Sequence, residues 1–155
     1  MSARSGSRGR PGFALAIISA LLLLFTAAPL RAVGSHQLAL QISDDDPVKM
    51  HAVLDVAANV SRHYTGQGEE VDIIVVAFNG GLDMLLADRS PVKERVTGFA
   101  KSMPNVSFIA CGNTLETLAR KEGALPPLLP GVTVVETGVA TLMDLAEKHW
   151  TIVRP

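Results

Sequence analysis

The sequence predicts an α/β domain built on a mostly parallel sheet with helices on both faces. Three observations carry this expectation. Strand-like and helix-like segments alternate from residue 36 to the C-terminus, as they do in βα units. Two strand-like runs, VDIIVVAFN and VSFIA, are nearly continuous in apolar residues, which suits strands buried on both faces. Turn and capping residues separate the runs, notably Asp46-Pro47, Gly80-Gly81, Gly112 and Gly123.

The elements follow in order. His36–Ser43 mixes alternation with a short apolar run and reads as a strand. Asp44-Asp45-Asp46-Pro47 supplies an N-cap with proline at the first helical position. Residues 48–63 carry Val48, Ala52, Val53, Val56, Ala57 and Val60 at helical spacing. Gly66 and Gly68 end that helix. Val71–Asn79 is the second strand, and Gly80-Gly81 makes the turn after it. Residues 82–103 read as helix with a break at Ser90-Pro91, where Pro91 opens the second piece. Val106–Ala110 is the third strand, followed by a turn over Cys111–Thr114. Leu115–Glu122 is a helix stopped by Gly123. Residues 124–131 hold Pro126, Pro127 and Pro130 and read as an extended surface loop. Val132–Glu136, Gly138–His149 and Trp150–Val153 complete the chain as strand, helix and strand.

Residues 1–32 read differently. Arg4, Arg8 and Arg10 precede FALAIISALLLLFTAA, an uncharged stretch over residues 13–28, and small residues lead to Ala32. A basic start, an apolar middle and a small-residue exit describe a secretory signal peptide. The apolar stretch is shorter than the roughly 20 residues a membrane-spanning helix needs. The expected organisation is therefore a signal over 1–32 and one domain over 33–155, placed in the periplasm or secreted. After cleavage the domain would keep ten basic residues against 15 acidic ones. That balance, with no basic cluster, argues against nucleic-acid partners and against attachment to an anionic membrane surface.

In an open α/β sheet, ligands bind outside the carboxyl ends of the strands. Four segments are predicted there: Asp44–Asp46, Asn79–Gly81, Cys111–Thr114 and Thr137–Gly138. Cys111 is the only cysteine, so no internal disulfide can form. At a strand-to-helix turn its thiolate would feel unpaired N–H groups and the positive end of a helix dipole. Asn113 or Thr114 is a natural N-cap for the helix beyond. A cysteine in this position is also an ordinary small core residue, so a reactive and a packed thiol both fit. The Asp44–Asp46 run reads chiefly as helix capping. Asn79-Gly80-Gly81 reads as a tight turn with some capacity to hold an anion on backbone N–H groups. His36, His51, His63 and His149 show no zinc-ligand spacing, and the expectation is no metal and no cofactor.

The stretches LALQISDDDPVKMHAVLDVAANV, VVAFNGGLDMLLADRSPVKERV, FIACGNTL and LLPGVTVVETGVATLMDLAEKHWTIVRP together resemble the DsrE/YchN-like family. The resemblance spans essentially the whole mature domain. It rests on the combination of Ser43–Asp46, Gly81-Leu82, Cys111–Thr114 and Leu129–Val132. It implies a YchN-like three-layer fold, assembly into homo-oligomers such as trimers or hexamers, and kinship with sulfur-relay proteins. On that basis Cys111 is the expected sulfur carrier, receiving sulfur from a donor and passing it on as a persulfide to a partner protein or small thiol. Gly112, Asn113, Thr114, Asn79, Gly80, Gly81 and Asp44 are the expected substrate-facing residues, with N–H groups of Gly112 and Asn113 stabilising the charge. The alternative is a non-catalytic small-ligand or assembly module in which Cys111 is packed and inert.

Overall fold

In the computed structural model, which describes residues 1–2 and 36–155, the apolar runs become five parallel strands. These are β1 (His36–Ile42), β2 (Val71–Ala77), β3 (Val106–Cys111), β4 (Val132–Val135) and β5 (Thr151–Val153). Their order across the sheet is β4-β3-β2-β1-β5. The helices are α1 (Pro47–Gly66), α2 (Lys93–Ser102), α3 (Gly112–Glu122) and α4 (Gly138–Glu147), with a 3₁₀ segment over Asn79–Leu85. The expected α/β architecture is thus observed, and the sheet is parallel throughout. The expected signal segment falls outside the described residues, its first two excepted.

Alternate side chains of each strand feed two cores, as the period of two demands. Leu40 and Ile42 of β1, Ile73, Val75 and Ala77 of β2, and Phe108 and Ala110 of β3 pack against α1, the 3₁₀ segment, α2 and α3. Ala39, Val76, Ile74 and Ile109 face the other way, against Leu142 and Leu145 of α4. Three crossovers therefore lie on one face and α4 alone covers the second. Chain segments leaving β3 and β4 go to opposite faces. A crevice at the carboxyl edge of the sheet follows from that divergence.

Several local expectations are corrected. Val48 is exposed, because the buried stripe of α1 is Met50, Val53, Leu54, Ala57 and Ser61. Two residues before Met50, Val48 is rotated about 200° around the helix axis. Asp46 caps α1 as expected, its carboxylate accepting from the Val48 N–H at 2.8 Å. Gly80 and Gly81 form no separate turn but lie inside the 3₁₀ segment. A Cβ on Gly81 would run into the Ile42 carbonyl and approach the Ser43 nitrogen at 2.8 Å, so only glycine lets this segment lie against the end of β1. Pro91 precedes α2 by two residues instead of opening it; Ser90 closes that approach by donating to the Met84 carbonyl and accepting from the Val92 N–H. The 124–131 stretch is extended yet pinned. Ala87 N–H donates to Pro127 O and Leu129 N–H to Leu85 O, and Pro126 and Leu129 are buried.

Candidate functional site

β3 passes into α3 without an intervening turn. Cys111 is the last residue of the strand and the N-cap of the helix, a position expected for Asn113 or Thr114. Both of those residues are committed elsewhere. Asn113 N–H donates to Glu136 O at 3.1 Å and its side-chain amide donates to Thr137 Oγ1 at 3.0 Å. Together these bonds latch the start of α3 to the β4–α4 junction. Thr114 Oγ1 accepts the Asn79 N–H at 3.1 Å. Gly112 is required by space, since a Cβ there would meet the Val135 carbonyl at 2.9 Å.

Cys111 is 5% exposed. Its side chain lies on the α4 side of the sheet, where a Cβ on Gly138 would come within 3.2 Å of the Cys111 Cβ. Burial pushes the thiol pKa up, but hydrogen bonds from the Gly138 N–H, the Thr114 hydroxyl, the Thr114 N–H and the Asn113 N–H outweigh it. The net displacement is below the ordinary thiol value. The Asn113 N–H also donates to Glu136 O. Two helices thus present their first N–H groups to one sulfur: α3 from its own start, and α4 from across the crevice. Each adds the partial positive charge of a helix N-terminus, and charge-assisted bonds to a thiolate are stronger than bonds to a neutral thiol.

Thr114 owes its role to Asn79. Asn79 has φ +49°, a left-handed conformation uncommon for a residue other than glycine but best tolerated by asparagine and aspartate. The Asn79 N–H uses one of the two lone pairs of the Thr114 hydroxyl, whose proton stays available to the sulfur.

A cleft of about 630 Å³ opens beside this sulfur. Phe78, Asn79, Gly80 and Asp83 line it from the segment after β2; Cys111, Asn113, Thr114, Thr117, Leu118 and Lys121 from α3; Thr137 and Val139 from the α4 end; and Asp45 from the β1–α1 connection. All four predicted rim segments therefore converge. Of the predicted site residues, Cys111, Asn113, Thr114, Asn79 and Gly80 line the cleft. Gly81 and Gly112 act in packing instead, and Asp44 is turned away. Its carboxylate binds Arg154 at 2.8 Å and Lys49 at 3.0 Å, and Arg154 first, then Lys49, holds it below the usual carboxylate range. Asp45 takes the place expected of Asp44. The Gly138 N–H and Lys121 were not singled out from sequence. The spacing of Cys111, Thr114, Leu118 and Lys121 is the signal that places Lys121 on the cleft face of α3. Among the described residues no group of three or more histidine, cysteine or acidic side chains is placed to hold a metal ion, and no helix is long and apolar enough to cross a membrane.

No protein-family model and no curated protein matches the chain. A solved structure that is similar is that of MTH1491 from Methanobacterium thermoautotrophicum, a protein of unknown function. The two sequences are 29% identical, the TM-score is 0.65, and the match covers 78% of this chain and 100% of that one. The domain thus has a counterpart of the same architecture along the whole of that chain.

Proposed function

We propose that the domain is a sulfur carrier of the DsrE type, exported by its N-terminal segment, in which Cys111 receives sulfur as a persulfide. The observation that carries this reading is the convergence of two helix N-termini on one buried thiol at the wall of an open cleft. Thiolate is the nucleophile in sulfur exchange, and the donors that favour it also suit the anionic persulfide that results. In the step proposed, Cys111 thiolate attacks the outer sulfur of a donor persulfide, R–S–SH. A bond forms between the Cys111 sulfur and that outer sulfur, the donor S–S bond breaks, and R–S⁻ leaves with the bonding pair. The transferred sulfur arrives with its proton as Cys111–S–SH and releases it to solvent to give the anionic persulfide, and no external oxidant or reductant is consumed. Neither a metal nor an organic cofactor enters the step.

The test is direct. Purified protein is incubated with a small-molecule persulfide donor and its intact mass is measured. The expected result is a gain of one sulfur by the wild type and none by Cys111→Ser. Absence of any Cys111-dependent gain overturns the reading. The low exposure of Cys111 favours a second reading, a ligand-binding or assembly module with an inert thiol. That reading requires Cys111 to react with alkylating reagents only on unfolding. A homo-oligomer, trimer or hexamer, belongs to the same proposal, supported by the exposed Val139 and Met143 on α4.

A further inference from the structure

We infer that the cleft takes an organic, peptide-like thiol with a free N-terminal cysteine, its amine facing Asp45 and its carboxylate facing Lys121. This rests on the carrier reading for the fate of the sulfur, but not for binding itself. The cleft volume of about 630 Å³ lies within the range of small-molecule sites, roughly 300–1,000 Å³, and far exceeds the needs of an inorganic sulfur anion.

Its charges are sparse and placed. The three consecutive aspartates have separate fates. Asp46 caps α1 and Asp44 is held by Arg154 and Lys49, whereas Asp45 lines the cleft with no partner among the described residues. Asp83 also lines it, but Arg89 lies 3.5 Å from its carboxylate. Lys121 is the cation of the lining, and it too has no partner among the described residues. One acidic and one basic residue without an ion-pair partner among the described residues therefore line the same space.

The run of α3 from Cys111 to Lys121 suits an extended ligand. Asp45 stands beside Gly80, whose Cβ, if present, would lie 3.0 Å from the Asp45 nitrogen. Through Asn79 and Thr114, that corner adjoins the sulfur. Lys121 is ten residues beyond Cys111 along α3, a rise of about 15 Å, shortened by a side chain that leans back toward the helix start. A tripeptide spans about 10 Å when extended. In a peptide with N-terminal cysteine the amine lies close to the sulfur and the carboxylate at the far end, matching that polarity. Leu118, between Cys111 and Lys121 on α3, supplies an apolar surface for the ligand backbone.

The probe is S-methyl-Cys-Gly-Gly, which binds without transferring sulfur, titrated into the full protein by calorimetry. Saturable binding is expected, weakened about three- to fivefold by N-acetylation and by C-terminal amidation, the size of exposed charge pairs. Asp45→Asn should abolish the effect of acetylation alone, and Lys121→Gln the effect of amidation alone. No saturable binding, or equal binding of all three peptides, overturns the inference. Sulfur loading of Cys111 from an inorganic polysulfide is measured in parallel, so a failed peptide site is distinguished from a failed carrier.

Discussion

The Thr114 hydroxyl is one of the groups that hold the Cys111 thiol below its ordinary pKa. Thr114 accepts from Asn79 and donates to the sulfur, so replacing it should change reactivity more than stability. Thr114→Val is expected to slow alkylation of Cys111 at neutral pH about tenfold, the worth of one bond to a charged group, while Thr114→Ser restores most of the rate. Pseudo-first-order kinetics with iodoacetamide across pH reads this as a shift of the profile to higher pH. The sign for stability follows from linkage. A thiol whose folded pKa lies below its unfolded value adds stability as pH rises through the folded pKa, with the full contribution present above the unfolded one. Wild type measured against Cys111→Ser should therefore gain stability on going from neutral to alkaline pH. Cys111 itself was legible in the sequence as an odd thiol after an apolar run. Its strongest favourable partner, the Gly138 N–H, was legible only as a rim segment, because a backbone donor from a distant helix leaves no side-chain signature.

At the scale of elements, the site depends on junctions that have no loops to absorb change. The 3₁₀ segment lies on the end of β1 through Gly81, and β3 feeds directly into α3 through Gly112. Gly81→Ala would drive a methyl group into the backbone of Ile42 and Ser43. It is expected to cost at least about 2 kcal/mol, as overpacking against an unyielding neighbour does, and chemical denaturation checks this. Long periodic or apolar runs made α1, β2 and β3 legible. The 3₁₀ segment was read as a helix starting at Leu82 because LDMLLAD carries apolar residues at helical spacing. What fixes its true start at Asn79 is contact with β1, a tertiary constraint. The pinned course of residues 124–131 was likewise invisible, since proline marks an extended chain without saying what it lies on.

For the whole molecule, the uneven covering of the sheet matters. Four elements pack on one face and α4 alone on the other, leaving Val139 and Met143 exposed on its outer side at 48% and 62%. These two residues are one helical turn apart, and Val139 also lines the cleft. If this stripe joins copies of the chain, Met143→Glu should lower the oligomeric mass in light scattering coupled to size exclusion, while the far-ultraviolet dichroism stays unchanged. An unaltered mass would remove α4 from the interface. The α/β class was legible because strand and helix periods alternate cleanly. Strand order was not, because the β4-to-β5 crossover carries the last strand to the far edge beside β1, and no residue pattern announces that return.

The groups that favour the Cys111 thiolate come from residues 113–114 and from Gly138, with Thr114 steadied in turn by the Asn79 N–H. No fragment containing the cysteine alone would reproduce its acidity. Most buried thiols are protected by the native state and released by denaturation. Here unfolding trades access for activation: the thiol becomes reachable at the same moment that its anion loses its donors. The lowered pKa of this thiol is therefore a property of the folded domain and is lost with it.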